Sequence, residues 1–393
     1  MRLSSTKPNL LAIYFLAYGG FASYFPFLAV YFKSRGLTYI QSGIVFSLIS
    51  LISIIAQPIM GYIADKFLSK KQVILLNMLI CSVLVYLYFF ADDFYSIIIA
   101  TSALVFFQSS IMSIIDAYCY DISDNVPEIN FGEMRLMGSV GFAVISMLLG
   151  SLIQLYGINI SFFMYSALFI SSALLLSRIG YKSTQNIVRP TISDITEVLK
   201  NYKFILFVLS ILVLNIMLSA HSSYVATLIE ATGGNVTILG IVWSLSAFSE
   251  IPAFFFGSRL LKKYGELNIY ILSLVLYIVR MLLSAYSTNY VMVIAVQLMQ
   301  SITFPLYLFA ALQYLNVIVP DKIRASGITL LSSLGFGLGG LIGSLGGGYI
   351  LQYKDPFYLY KALAVVCLAS LLIVLILKFK EKSNSQRQKS SLL

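Results

Sequence analysis

Twelve apolar stretches, each near or above the length needed to cross a bilayer, divide this 393-residue chain. No other feature limits its fold as strongly. A spanning helix needs about 20 predominantly apolar residues, because backbone amides in hydrocarbon must be satisfied within the helix itself. The stretches fall near 10–32, 40–63, 72–91, 95–120, 134–155 and 159–179, then near 204–229, 238–261, 267–287, 289–317, 325–351 and 356–378. The pattern predicts an all-α integral membrane protein with twelve transmembrane helices. Composition agrees: 59% of residues are hydrophobic and 11% charged, whereas a soluble domain carries roughly 25% charged residues to cover its surface.

The net charge of +10 does not mark a nucleic-acid partner, because the cations fall in alternate connections. Lys66, Lys70, Lys71, Arg178, Lys200, Lys203, Arg259, Lys262 and Lys263 share one side with both termini, while Lys33, Arg35 and Lys354 occupy the other. The positive-inside rule then places both termini in the cytoplasm. The abundance of Ile, Lys and Asn suggests a bacterium with an AT-rich genome, and so the inner membrane. The first apolar run leads on into a second span and reads as a true helix, not a cleaved signal.

Enzyme constellations are absent from the sequence. There is no phosphate-binding loop of the Walker type to drive transport with ATP. Cys81, Cys119 and Cys367 are scattered through apolar spans and His221 is the single histidine, so no metal site or disulfide framework is expected. No cofactor is implied.

The longest polar interruption, 181–202, separates an N-terminal bundle (1–180) from a C-terminal one (203–379) and is expected to carry a short surface helix. A serine-rich tail (380–393) is expected to be disordered. Internal repetition supports the division. Arg135 and Arg324 each open a long apolar helix, roughly 190 residues apart. GYIADKFLSKK (61–71) and GSRLLKKYG (257–265) occupy matching loops. Two similar halves are how many secondary carriers build a substrate site.

An ionisable side chain near the bilayer centre costs at least about 2.5–3.5 kcal/mol, so each one needs a reason. Asp116, with Gln108 near the same helix face, is expected to pair with Arg135, either lining a cavity or as an interfacial salt bridge. Glu250 stands alone between Thr232 and Gly257 as a formal charge, and Arg280 is equally isolated. The two read as a pair, with Glu250 a proton carrier or the whole a structural bond. His221 and, three residues on, Tyr224 share a face and read as substrate contacts or as packing. Tyr14, Tyr18, Phe21 and Phe25 form a stripe on the first helix that serves either packing or ring stacking, and Gly19, Gly20 and Pro26 let that helix bend. Gly335, Gly337, Gly339, Gly340 and Gly343 allow close helix approach.

GYIADKFLSKK resembles the loop signature of the major facilitator superfamily, with Gly61, Asp65, Lys66, Lys70 and Lys71 at the matching positions. The resemblance implies twelve transmembrane helices in two pseudo-symmetric six-helix bundles, and a gating loop. Across the whole chain, FASYFPFLAVYFKSRGLT, AQPIMGYIAD, FGEMRLMGSVGF and LGIVWSLSAFSEIPAFFFGSRLL resemble the lactose permease-like branch of proton symporters, which includes nucleoside and phenylpropionate permeases. That resemblance implies substrate contacts at Asp116, Arg135 and Phe142, where the sugar permease has a stacking tryptophan, and coupling residues at Glu250 and Arg280. The helix-ten histidine and glutamate of the lactose permease are replaced by Gln300 and Thr303, neither of which titrates. Proton coupling therefore falls to Glu250, Asp116 or His221.

The sequence thus reads as a proton-coupled symporter, a monomer in the lipid bilayer, importing a small polar solute such as a sugar, nucleoside or aromatic acid. Substrate-binding candidates are Tyr18, Asp116, Arg135, Phe142, His221, Tyr224 and Gln300; coupling candidates are Asp116, Glu250 and Arg280. An efflux antiporter of amphipathic compounds and a non-transporting receptor on a carrier fold are the alternatives.

Overall fold

The computed structural model describes residues 6–181, 198–320 and 323–390. Most of the linker expected at 181–202 and the end of the chain lie outside that set. All regular elements among the described residues are helices. In chain order they are α1 (Thr6–Ala22), α2 (Leu28–Ser34), α3 (Tyr39–Lys66), α4 (Lys70–Leu84), α5 (Phe94–Gln108), α6 (Ile111–Asn125), α7 (Phe131–Tyr156) and α8 (Ile160–Ser177). Then come α9 (Tyr202–Ala231), α10 (Val236–Tyr264), α11 (Glu266–Ala285), α12 (Tyr290–Gln297), α13 (Gln300–Ile318), α14 (Arg324–Leu330), α15 (Gly339–Tyr353) and α16 (Pro356–Ser390). Eleven helical segments among the described residues are long and apolar enough to cross a membrane, and the apolar part of α10, Val236–Pro252, adds a shorter one. With that segment the described helices match a twelve-helix carrier fold.

Three spans are interrupted, each for a local reason. A 3-10 turn at Phe25–Phe27 separates α1 from α2, where Pro26 cannot donate to the preceding turn. Between α5 and α6 the chain turns at Ser109 and Ser110, a serine pair of the kind that kinks helices. Between α12 and α13 the amides of Leu298, Met299, Ser301 and Ile302 each bond to the carbonyl three residues back, a tighter winding than the α-helix. Continuity from α14 into α15 runs through a π-helical stretch, Leu331–Leu338.

Two compact units are formed. The first comprises Met1–Ile187, Ser223–Phe248 and Asn289–Ile294; the second comprises Val188–Ser222, Ser249–Thr288 and Ala295–Leu393. Parts of α9, α10 and α12 fall in the first of these units. Gly150 and Gly240 are among the points of closest approach in the first unit: a Cβ on Gly240 would meet the Ser146 carbonyl oxygen at 2.4 Å.

Each unit is also held by a glycine on which another backbone rests. In the first, a Cβ on Gly141 of α7 would stand 2.2 Å from the Phe15 carbonyl oxygen of α1. In the second, a Cβ on Gly343 of α15 would stand 2.2 Å from the Ile216 carbonyl oxygen of α9. These matching contacts pair α1 and α7 with α9 and α15. By that register Gly141 corresponds to Gly343, and Arg135 does not fall opposite Arg324, which begins α14 well before the glycine contact. Gly141→Val and Gly343→Val are each expected to destabilise the protein by about 1–3 kcal/mol or more through overpacking. Gly61→Ala, with nothing within 4 Å of the added carbon, serves as the neutral control in thermal unfolding of the purified protein.

At the C-terminal end, residues 380–390 continue α16 as helix. Extending an existing helix costs far less than nucleating one, and Lys, Glu, Gln and Arg are good helix formers. Glu381 fixes the start of this extension, accepting from Tyr314 Oη at 2.8 Å and pairing with Lys203 at 2.9 Å.

Candidate functional site

In the first unit, two stacked tyrosines on α1 each hold one charge. Tyr14 and Tyr18 lie one helical turn apart with ring centroids 5.9 Å apart and planes within 10°. Tyr14 Oη donates to Asp116 Oδ1 at 2.9 Å, and the Arg135 guanidinium sits over the Tyr18 ring at 4.5 Å, within cation–π range. The expected direct Asp116–Arg135 bond is not formed: neither side chain has an ion pair among the described residues. The tyrosine at i takes the acid and the tyrosine at i+4 takes the base, because both rings project from one face of α1. Gly138 makes room for the Tyr18 ring, since a Cβ there would meet Tyr18 Cδ2 at 2.7 Å.

Phe142 lies two turns along α7 from Arg135. It packs on the core cluster of Ala22, Ile145 and Leu168. Its ring faces Phe21 at 6.4 Å and, edge to face, Trp243 at 6.1 Å. Trp243, the single tryptophan of the chain, is a residue that sequence reasoning missed; a lone indole in a charge-poor span was the available signal. Its Nε1 is buried without a hydrogen-bond partner among the described residues, as is Gln108 Nε2 at the α5–α6 interruption. Buried donors without acceptors are uncommon and call for a reason, and a broken membrane helix is where carriers place ligand contacts.

The second unit holds the other charged cluster. Arg280 of α11 is 1% exposed. Its Nη1 donates to Gln300 Oε1 and to Thr303 Oγ1, the latter at 3.1 Å. Its Nη2 donates to Gln297 Oε1 and lies 3.5 Å from His221 Nε2. Gln300 then turns its amide nitrogen to Glu250, donating to Oε1 at 2.8 Å. The expected direct Glu250–Arg280 pair is thus replaced by a relay through one amide. Gln297 and Gln300 flank the α12–α13 interruption, which is why one span supplies two amides to one guanidinium. Gln297 is the second residue missed, because a search for charges passes over an uncharged amide.

His221 is nearly buried and its Nδ1 meets Tyr360 Oη at 2.9 Å, so it belongs to the Arg280 cluster. Tyr224 does not. It lies in the first unit, buried edge to face with Phe46 at 5.9 Å.

The loop motif is divided among separate tasks. Lys70 pairs with Asp121 of α6 at 3.9 Å, the two being 5% and 0% exposed. Lys71 Nζ donates to the carbonyls of Ser177 and Ile179 at 2.9 and 2.5 Å, closing the C-terminal end of α8 with a favourably placed cation. Lys66 lies over the Tyr62 ring at 5.2 Å. Tyr181 Oη donates to the Asp121 carbonyl at 3.0 Å, and burial beside Asp121 holds its hydroxyl above the ordinary tyrosine pKa.

A helical membrane protein with two compact units and charged clusters inside its spans, one of them around the buried Arg280, has the make-up of a solute carrier. The chain belongs to the major facilitator superfamily: the model of the MFS_1 like family matches residues 8–362. It is 27% identical over 378 residues to the uncharacterized transporter YwbF of Bacillus subtilis (strain 168), covering 95% of this chain and 94% of that one. It is 25% identical to the maltose permease of Geobacillus stearothermophilus, with 95% of each chain covered. It is also 25% identical to the quinolone resistance protein NorA of Staphylococcus aureus (strain MSSA476), covering 93% and 94%. The crystal structure of the nucleoside transporter NupG superposes with a TM-score of 0.83 at 18% identity, covering 96% of this chain and 99% of that one. The fold is therefore that of a transporter of this superfamily.

Proposed function

We propose that the protein is a proton-coupled symporter of a bacterial inner membrane, with both termini cytoplasmic, which takes up a small polar organic solute such as a sugar, a nucleoside or an aromatic acid. The observation that carries this reading is the Glu250–Gln300–Arg280 relay in the second unit. Among the described residues Glu250 is the acid joined to a buried, permanently charged guanidinium, and it is joined through an amide that cannot itself take up a proton. Neutralising Glu250 removes the negative charge that opposes Arg280, so the guanidinium draws a substrate oxygen more strongly. Proton binding therefore favours substrate binding, and loss of the proton favours release. That is the linkage a symporter needs. Asp116 with Tyr14, Arg135 with Tyr18, and Phe142 with Trp243 supply polar and ring contacts in the first unit.

A second reading, efflux of amphipathic compounds in exchange for protons, draws on the aromatic group Phe21, Phe25, Phe142 and Trp243 and on the likeness to NorA. Vesicles of one orientation with an imposed pH gradient separate the two. A symporter accumulates solute on the alkaline side; an antiporter accumulates it on the acidic side.

A further inference from the structure

Among the described residues, none is a counter-ion in contact with Arg280. Its partners are Gln297, Gln300, Thr303 and, at 3.5 Å, His221. No carboxylate forms an ion pair with it among the described residues, and Glu250 is linked to it by hydrogen bonds through the Gln300 amide. Two buried donors of this cluster have no acceptor among the described residues: Arg280 Nε and Gln297 Nε2. Both residues are 1% exposed. Their orientations are fixed, since the Gln297 oxygen is turned to the guanidinium and its nitrogen must face away. A buried positive charge with no carboxylate in contact is costly, and so is each unsatisfied donor. A single group satisfies all three needs: a carboxylate, which carries the missing charge and accepts from planar donors.

We propose that Arg280 and Gln297 form the receptor for the carboxylate of an anionic organic substrate, which takes hydrogen bonds from Arg280 Nε and Gln297 Nε2. Gln300 and Glu250 are half-buried and stand at the more exposed edge of this cluster. The proposal rests on the transport reading above and narrows its substrate class from sugars, nucleosides and acids to the acids.

The test is equilibrium binding to the purified full-length protein in detergent, read as a thermal shift and by calorimetry, with matched probes. These are acetate and ethanol, benzoate and benzyl alcohol, and glucuronate and glucose, with sodium nitrate as the inorganic anion. At least one acid is expected to give a saturable upward shift that its neutral counterpart and nitrate do not. Arg280→Lys keeps the charge and loses the planar fork, weakening that acid by about tenfold or more. Gln297→Glu sets a carboxylate against the guanidinium with almost no change of shape. It is expected to raise the melting temperature of the unliganded protein and to abolish the acid-dependent shift. A purely structural Arg280 would leave that shift intact in Gln297→Glu. The proposal is overturned if no acid shifts the wild type, if a neutral counterpart or nitrate matches its acid, or if Gln297→Glu still binds the acid. Micelles hold no gradient and Glu250 remains wild type, so failure of the proton-coupling assignment leaves this result readable, and the reverse.

Discussion

Glu250→Gln is expected to abolish accumulation of substrate against its gradient while leaving exchange across the membrane in place. The substitution reproduces the shape of a protonated glutamate and keeps an oxygen for the Gln300 amide to donate to. What it removes is the ability to lose a proton. With one proton carried per substrate, a pH difference of one unit supplies about 1.4 kcal/mol, enough for about tenfold accumulation. The variant should reach an inside-to-outside ratio of one under the same gradient. Loaded vesicles should still exchange labelled for unlabelled substrate, since exchange needs no net proton movement. Uphill accumulation by Glu250→Gln would move the coupling site elsewhere, with Asp116 the next acid to test.

The second large effect belongs to the loop motif. Lys70→Met leaves Asp121, at 0% exposure, without its cation. Removing one member of a buried pair costs about 3–5 kcal/mol, because the remaining charge stays buried and uncompensated. The double variant Lys70→Met/Asp121→Leu should recover most of that loss, since replacing both charges by apolar groups of similar volume is often close to neutral. Thermal unfolding of the purified protein measures both. A single variant as stable as the wild type would show that Asp121 is satisfied without Lys70. Tyr181 Oη, whose nearest approach to the carboxylate is 3.3 Å at Oδ1, would then be the remaining support.

The helical spans were legible because the length of an apolar run and the thickness of a bilayer are linked by simple geometry. Residues 40–63 and 134–155, for example, sit inside α3 and α7. The interruptions were less legible. Pro26 announces its own turn, but the serine pair at Ser109 and Ser110 lies inside an apolar run, and Leu298 and Met299 give no signal at all. Individual charges were easy to find because hydrocarbon tolerates few of them. Their partners were not: Tyr14 and Gln300 stand out in the sequence for other roles and Gln297 not at all, yet these neutral groups hydrogen-bond Asp116 and Arg280. Tyr224 shares a helix face with His221, yet the two residues fall in different compact units, a division set by tertiary packing. The repeat was visible in outline. Its register in α7 and α15 depended on which glycine lies against which carbonyl, and periodicity does not carry that information.

The most direct measurement of the coupling claim is proton movement itself, followed with a pH-sensitive dye in vesicles of one orientation that start with no gradient. Adding substrate outside the wild-type carrier should raise the external pH as protons enter with it, and Glu250→Gln should give no such change. A rise of wild-type size in Glu250→Gln, or external acidification by the wild type, would contradict proton symport through Glu250.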